Sequence, residues 1–206
     1  KRIFEKAFTD AGIDKTDRIV VVTDPGSPME AAAKADGYRV FNADPTVGGR
    51  YSALTAFGIV PSGLAGADIA ELLKQAQEVA EVLASDSEEN PGLILGAALA
   101  RTPGEMGNRD KIGIVADGTH IVGFGDWAEQ LIAESTGKIG KGVLPVVLEP
   151  QSQELHSGLA DLLAVHVQAD AKPVSGDTVS VSGPLGAQFL LWEYATVVAS
   201  RLLGIN

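Results

Sequence analysis

Gln130 and Glu134 stand four residues apart in the run Gln130-Leu131-Ile132-Ala133-Glu134-Ser135-Thr136-Gly137-Lys138. On a helix that spacing puts an amide and a carboxylate side by side. Phe124, Trp127 and Leu131 recur at helical spacing and mark the face turned to a core, Gly137 stops the helix, and Lys138 suits the negative end of the dipole. Glu134 does not suit it, because a carboxylate in the last turn is repelled by the macrodipole by about 0.3–1 kcal/mol when exposed. It also falls at the edge of the apolar stripe rather than on the polar face. A carboxylate half withdrawn from water at a helix C-terminus has a raised proton affinity, the profile of a general base working near neutral pH. The plainer reading is a Glu turned outward to solvent.

A second stretch with chemical potential is Val47-Gly48-Gly49-Arg50-Tyr51-Ser52. Two glycines let backbone amides approach a ligand closely, and Arg50 supplies a fixed cation against developing negative charge. The alternative is a Gly-Gly turn whose Arg pairs with a surface carboxylate.

Composition narrows the function classes. The chain has 206 residues, a formal net charge of −11, no Cys and three His (His120, His156 and His166) without ligand-like spacing. Disulfides and thiolate metal sites are excluded, no metal site is expected, and the compartment expected is the cytoplasm. The basic residues form no stripe, so neither nucleic acid nor an anionic membrane is an expected partner. No apolar run is long enough to span a membrane, and no signal peptide is expected. An acidic chain still binds a phosphorylated metabolite where local amides and one Arg override the distant field.

The elements that must position these residues alternate. Lys1–Ala11 reads as an amphipathic helix, with Ile3, Phe4, Ala7 and Phe8 on one side. Arg18–Thr23 reads as a strand buried on both faces. Asp24-Pro25-Gly26-Ser27-Pro28 is a turn with Ser27 as N-cap and Pro28 at the first helical position, leading into a helix to Ala35 that Gly37 closes. Tyr38–Asn42 is a second strand, and the Gly-Gly-Arg segment follows it, where open α/β sheets bind ligands. Ser52 is the expected cap of a helix from Ala53 to Phe57.

Helices at Ile69–Ala84 and from Pro91 to Ala100, a loop over Arg101–Asp110, and a strand at Lys111–Ala116 precede the helix that carries Glu134. Strands at Val143–Leu148, Leu162–Gln168 and Val179–Val181 follow, with Lys172–Asp177 as a hairpin connection. A closing helix packs Leu190, Leu191, Trp192, Tyr194, Val197, Val198 and Leu202 inward. The pattern predicts an α/β fold, a three-layer αβα sandwich with a doubly wound, mostly parallel sheet. The domain boundary is placed between 1–65 and 66–206, one compact unit being the other possibility.

The same residues carry a resemblance. Val47 to Ser52, with Gly58 closing the helix, resembles a signature of the glucose-6-phosphate isomerase family. Gln130 to Lys138 is similar to that family's catalytic glutamate segment, Glu-Ser-x-Gly-Lys with a glutamine four residues upstream. Trp192-Glu193 through Asn206 resembles the stretch before its C-terminal signature. The variant looks like the shorter bacterial forms, including those fused to a transaldolase. Nothing in Lys1–Asp17 matches the family's phosphate loop, and its last signature would begin after Asn206. The expectation is therefore a fragment, the end of the first sugar-isomerase (SIS-type, flavodoxin-like) domain and most of the second.

The resemblance implies the interconversion of glucose 6-phosphate and fructose 6-phosphate in glycolysis and gluconeogenesis, through a cis-enediol and without metal or redox cofactor. Glu134 would shuttle the proton, Arg50 would stabilise the enediolate, Gln130 would orient a substrate hydroxyl, and Gly48 and Gly49 would line the sugar site. The ring-opening histidine would be His166, at the family's usual distance from the glutamate, or His156 in a polar loop. In the family it comes from the neighbouring subunit of a homodimer. The fragment alone is expected to be inactive. Two rival readings stand beside this one. A non-catalytic sugar-phosphate sensor would have little need of a carboxylate placed against a dipole. A nucleotide-binding dehydrogenase would need Gly-x-Gly-x-x-Gly, which Asp24-Pro25-Gly26-Ser27-Pro28 lacks.

Overall fold

The computed structural model describes residues 1–100, 109–138, 140–170, 172–173 and 178–205. The chain divides into two compact units, Lys1–Ile69 and Ala70–Asn206. Both are α/β with parallel sheets, as the alternation predicts.

The first unit runs α1 (Arg2–Asp10), β1 (Val20–Thr23), α2 (Pro28–Ala35), β2 (Arg39–Asn42), a short 3-10 helix at Gly49–Tyr51 and α3 (Ala56–Leu64). β1 and β2 pair in parallel from Val20↔Arg39 to Thr23↔Asn42. The α2 entry forms as its residues dictate: the Ser27 hydroxyl accepts from the Glu30 amide at 3.1 Å, and Pro28 opens the first turn. Tyr38 is buried, and its hydroxyl donates to Glu5 Oε1 at 2.6 Å, tying α1 to the start of β2. Burial, helped by that bond to a carboxylate, pushes the Tyr38 phenol up to about 12.

Three expectations change here. β1 is half-buried, with only Thr23 fully inside, rather than covered on both faces. The α1 stripe leaves Ile3 and Phe4 exposed, at 84% and 68%. Thr55 rather than Ser52 caps α3, its hydroxyl accepting from the Phe57 amide at 3.3 Å. The reason is the 3-10 turn, whose residues Ser52 closes by donating to the Gly49 carbonyl at 2.6 Å. Gly58 accordingly lies within α3, where a Cβ would stand 2.1 Å from the Ala53 carbonyl oxygen.

The second unit contains α4 (Ile69–Leu83, all but its first residue), α5 (Pro91–Ala100), β3 (Lys111–Ala116), α6 (Phe124–Thr136), β4 (Leu144–Leu148), a short 3-10 helix at Gln153–His156, β5 (Leu162–Gln168), β6 (Thr178–Ser182) and α7 (Leu185–Leu202). Its sheet has the order β4-β3-β5-β6, all parallel. The chain leaves β3 through α6 to β4 on one side and returns to β5 on the other, which is a doubly wound topology. Because β5 and β6 run parallel, the segment between them is a crossover and not a hairpin; residues 171 and 174–177 of it lie outside the described residues, as does the 101–108 part of the expected loop.

The core sits between this sheet and its helices. Ile112, Ile114, Val115, Leu131, Ile132, Val165 and Trp192 are all closed off from solvent. Asn90 caps α5 from inside, accepting from the Gly92 amide at 2.9 Å while its own amide group donates to the Leu83 and Ser85 carbonyls at 2.9 and 2.8 Å. α5 lies on α7 through glycine: a Cβ at Gly96 would come within 2.6 Å of Val198 and 2.8 Å of the Ala195 carbonyl oxygen. Of the residues expected inward on α7, Trp192 is buried, whereas Val197 and Leu202 are exposed and Gln188 and Thr196 are buried in their stead. An apolar helix without a clear stripe does not tell its inner face from sequence.

Candidate active site

Glu134 occupies the last turn of α6. Phe124 and Leu131 are buried, and the half-buried Trp127 ring meets Phe189 edge-on at 4.7 Å, which fixes the helix against α7. That rotation leaves Gln130 and Glu134 on the open side, and both are exposed. Glu134 is thus not half withdrawn from water, as its place at the stripe edge had implied. Its pairing with Gln130 does form: Gln130 Nε2 donates to Glu134 Oε1 at 3.0 Å. The amide that the resemblance assigns to a substrate hydroxyl is here on the carboxylate itself, and it sets the direction in which that carboxylate points.

Lys138 reaches back to donate to the Glu134 carbonyl at 3.1 Å, so it serves as a helix-end cation. Gly137 ends the helix for a different reason than the left-handed stop. Its φ is −69°, and a Cβ would stand 2.6 Å from the Ala133 carbonyl oxygen.

The Gly48–Arg50 segment belongs to the first unit and is built by local hydrogen bonds. Asp44 Oδ1 accepts from the Thr46 amide and hydroxyl at 2.9 and 2.7 Å, which holds its carboxyl below the usual range. The Tyr51 amide donates to the Gly48 carbonyl at 2.9 Å, and the Arg50 guanidinium lies 5.4 Å from the centre of the Tyr51 ring. Gly48 has an ordinary φ of −67°, and a Cβ at Gly48 or Gly49 would meet nothing within 4 Å. Among the described residues neither backbone strain nor packing requires glycine at these two positions.

His166 sits on β5, half-buried, with Nδ1 at 3.2 Å from Asp117 Oδ2. The same oxygen accepts from Gln168 Nε2 at 2.9 Å, and Gln168 Oε1 accepts from the Ser180 hydroxyl at 2.6 Å. The Gln168 bond first, and the His166 bond after it, hold the Asp117 carboxyl low against the effect of burial. Asp117 orients one imidazole nitrogen and leaves the tautomer with hydrogen on Nδ1 as the one that matches it. Asp117 is not among the residues that the sequence singles out; its place just beyond the carboxyl end of a central strand is the available signal. His156 ends the 3-10 helix at Gln153–His156 and is exposed. Among the described residues no three His, Asp or Glu gather to hold a metal, and no helix is long and apolar enough to cross a membrane.

No protein-family model matches the chain. It is 36% identical over 143 residues to a probable glucose-6-phosphate isomerase of Haloarcula marismortui, an alignment covering 69% of this chain and 32% of that protein. It is also 36% identical over 160 residues to the glucose-6-phosphate isomerase of Clostridium tetani, covering 76% and 35%. The chain spans about a third of the length of these relatives. Among solved structures it is similar to a hypothetical protein from Thermus thermophilus, with a TM-score of 0.79, 22% identity, and coverage of 99% of this chain and 62% of that one. A glucose-6-phosphate isomerase from Chlamydia trachomatis shares the fold with a TM-score of 0.73 at 18% identity, covering 100% and 52%.

Proposed function

The chain belongs to the glucose-6-phosphate isomerase family over the segment it spans, and on that premise we propose that the full protein interconverts glucose 6-phosphate and fructose 6-phosphate with Glu134 as its base. The observation that carries this reading is the Gln130–Glu134 pair, an oriented carboxylate presented to solvent at the end of a helix whose other face is locked in the core. Glu134 takes the proton from C2 and returns it to C1 by way of a cis-enediol, so a single carboxylate serves both half-reactions. Arg50 stabilises the enediolate electrostatically and opposes a second deprotonation. Gly48 and Gly49, with open space before them, line the sugar site.

Ring opening falls to His166 or His156. The Asp117 contact supports His166, because a proton-transferring imidazole works best when one nitrogen is held and the other faces the reactant. The full protein is proposed to be a cytoplasmic homodimer, and the 206-residue segment alone to be inactive.

The test is fructose 6-phosphate isomerisation by the full-length protein beside its Glu134→Gln form. Glutamine keeps the size and removes the base, and kcat should fall by on the order of 10²–10⁴ or more with substrate binding retained. An unaffected variant would place the base elsewhere. Binding of the sugar phosphate without turnover by the unaltered protein would make it a sensor. Measurable turnover by the segment alone would refute its inactivity.

A further inference from the structure

The last turn of a helix frays, and the macrodipole disfavours a carboxylate there. A base held about 1 Å out of place loses on the order of 10²-fold in rate. Something must therefore hold this turn, and two contacts beyond the helix do so. Thr136 is fully buried. Its hydroxyl donates to the Ile132 carbonyl at 2.8 Å and accepts from the Val143 amide at 3.1 Å. One side chain thus closes the final turn of α6 and fastens it to the residue that leads into β4. The backbone returns so closely that a Cβ at Gly142, with φ of +137°, would stand 3.0 Å from the Thr136 carbonyl oxygen.

The outer side of the same turn is held by Lys141. Its amide donates to the Lys138 carbonyl at 2.9 Å, and its ammonium donates to the Leu203 and Gly204 carbonyls, each at 3.0 Å. The loop that begins at Lys138 is thereby pinned to the end of α7.

We propose that Thr136 is a positioning residue for Glu134, with Lys141 as a second, weaker support from outside. Thr136 touches no reacting atom; it acts by fixing the backbone two residues from the base. This rests on Glu134 being the base, so the experiment carries Glu134→Gln as a control.

In the full-length protein, Thr136→Val removes the hydroxyl at nearly constant size, and Thr136→Ser keeps it. With fructose 6-phosphate, Thr136→Val should lower kcat by about tenfold or more and leave KM nearly unchanged, while Thr136→Ser retains most of the rate. Glucose 6-phosphate carrying deuterium at C2, run in the aldose-to-ketose direction, gives a readout that loss of folded protein would not move. A loosely held carboxylate exchanges its proton with water for longer, so Thr136→Val should deliver less deuterium to C1 per turnover. Lys141→Met, at an exposed side chain, should lower kcat a few-fold and shift deuterium transfer in the same direction, and Thr136→Ala, which also lacks the hydroxyl, takes the place of Thr136→Val if that variant does not fold.

Unchanged kcat and unchanged deuterium transfer in folded Thr136→Val would overturn the proposal, as would equal loss in Thr136→Ser. If Thr136→Val does not fold, unchanged kcat and deuterium transfer in Thr136→Ala would overturn it, and an unaltered Lys141→Met would remove the outer support. An active Glu134→Gln would instead bring down the base assignment, and the proposal with it; an inactive Glu134→Gln beside an unaffected Thr136→Val brings down the positioning role alone.

Discussion

The two units hold their candidate residues by different means. In Ala70–Asn206 a four-stranded sheet and its helices enclose a core whose largest side chains see no solvent, and Glu134 rides on a helix anchored in it. In Lys1–Ile69 the sheet has two strands, and few residues are buried: Thr23, Ala33, Tyr38 and Ala43. There an apolar groove of about 470 Å³, lined by Phe4, Phe8, Val20, Val22 and Met29 among others, stays open. The backbone that carries Arg50 is set by a short chain of turn hydrogen bonds. Two-stranded sheets are marginal alone, so what defines the first unit's loop is local chemistry. What defines the second unit's site is burial.

The sharpest way to break this contrast is to remove an aromatic ring from each unit. Trp192 is fully buried, stacks edge-on with Phe124 at 5.6 Å, and donates from Nε1 to Gln188 Oε1 at 2.9 Å. Trp192→Ala should cost about 3–5 kcal/mol, read from urea denaturation. Phe4→Ala removes a ring that is 68% exposed, and its effect should stay within about 0.5 kcal/mol either way. Comparable losses in the two variants would mean that the first unit has a core of its own after all.

The same contrast explains what was legible in the sequence. The Ser27–Pro28 entry to α2 and the Gln130–Glu134 pair could be read because each depends on residues three or four apart. The cap of α3 was misplaced because the 3-10 turn at Gly49–Tyr51 consumes Ser52, a competition between two local structures that residue types do not decide. Asp117 and His166 are 49 residues apart and meet only because β3 and β5 are neighbours. Thr136 reads as an ordinary residue before a helix stop until Val143 returns to it. The pairing of Glu134 with Gln130 was legible, whereas the side of the helix on which Glu134 stands was not, since that depends on where α7 lies.

Glycine substitutions sharpen the comparison at an intermediate scale. Gly96→Ala places a methyl group 2.6 Å from Val198 and against backbone at Ala195, and overpacking of this kind should cost about 1–3 kcal/mol. Gly48→Ala meets open space at an ordinary φ, so stability should be unchanged or rise by about 0.4–1 kcal/mol through the unfolded chain. If Gly48 is there to let a ligand approach, that stable variant of the full-length protein should bind the sugar phosphate more weakly. Undiminished affinity would remove Gly48 from the site.

The smallest effect expected is one of pH, again confined to the second unit. Glu193 on α7 has Oε1 buried without a hydrogen-bond partner among the described residues, and burial alone pushes its carboxyl up to about 7 from 4.5. A carboxyl whose folded value is raised binds more protons in the folded state across that interval, so folding stability falls as pH rises from about 4.5 to 7 and levels off above it. Glu193→Gln takes the charge away and should flatten this part of the profile, gaining on the unaltered chain most clearly above pH 7. Part of the carboxyl is still solvated, which holds the difference well below the full linkage value. Urea midpoints of the two chains across pH 5 to 8 would decide it, because parallel curves would show that the Glu193 charge finds water or a partner on ionising, and that burial governs this unit less strictly than its core implies.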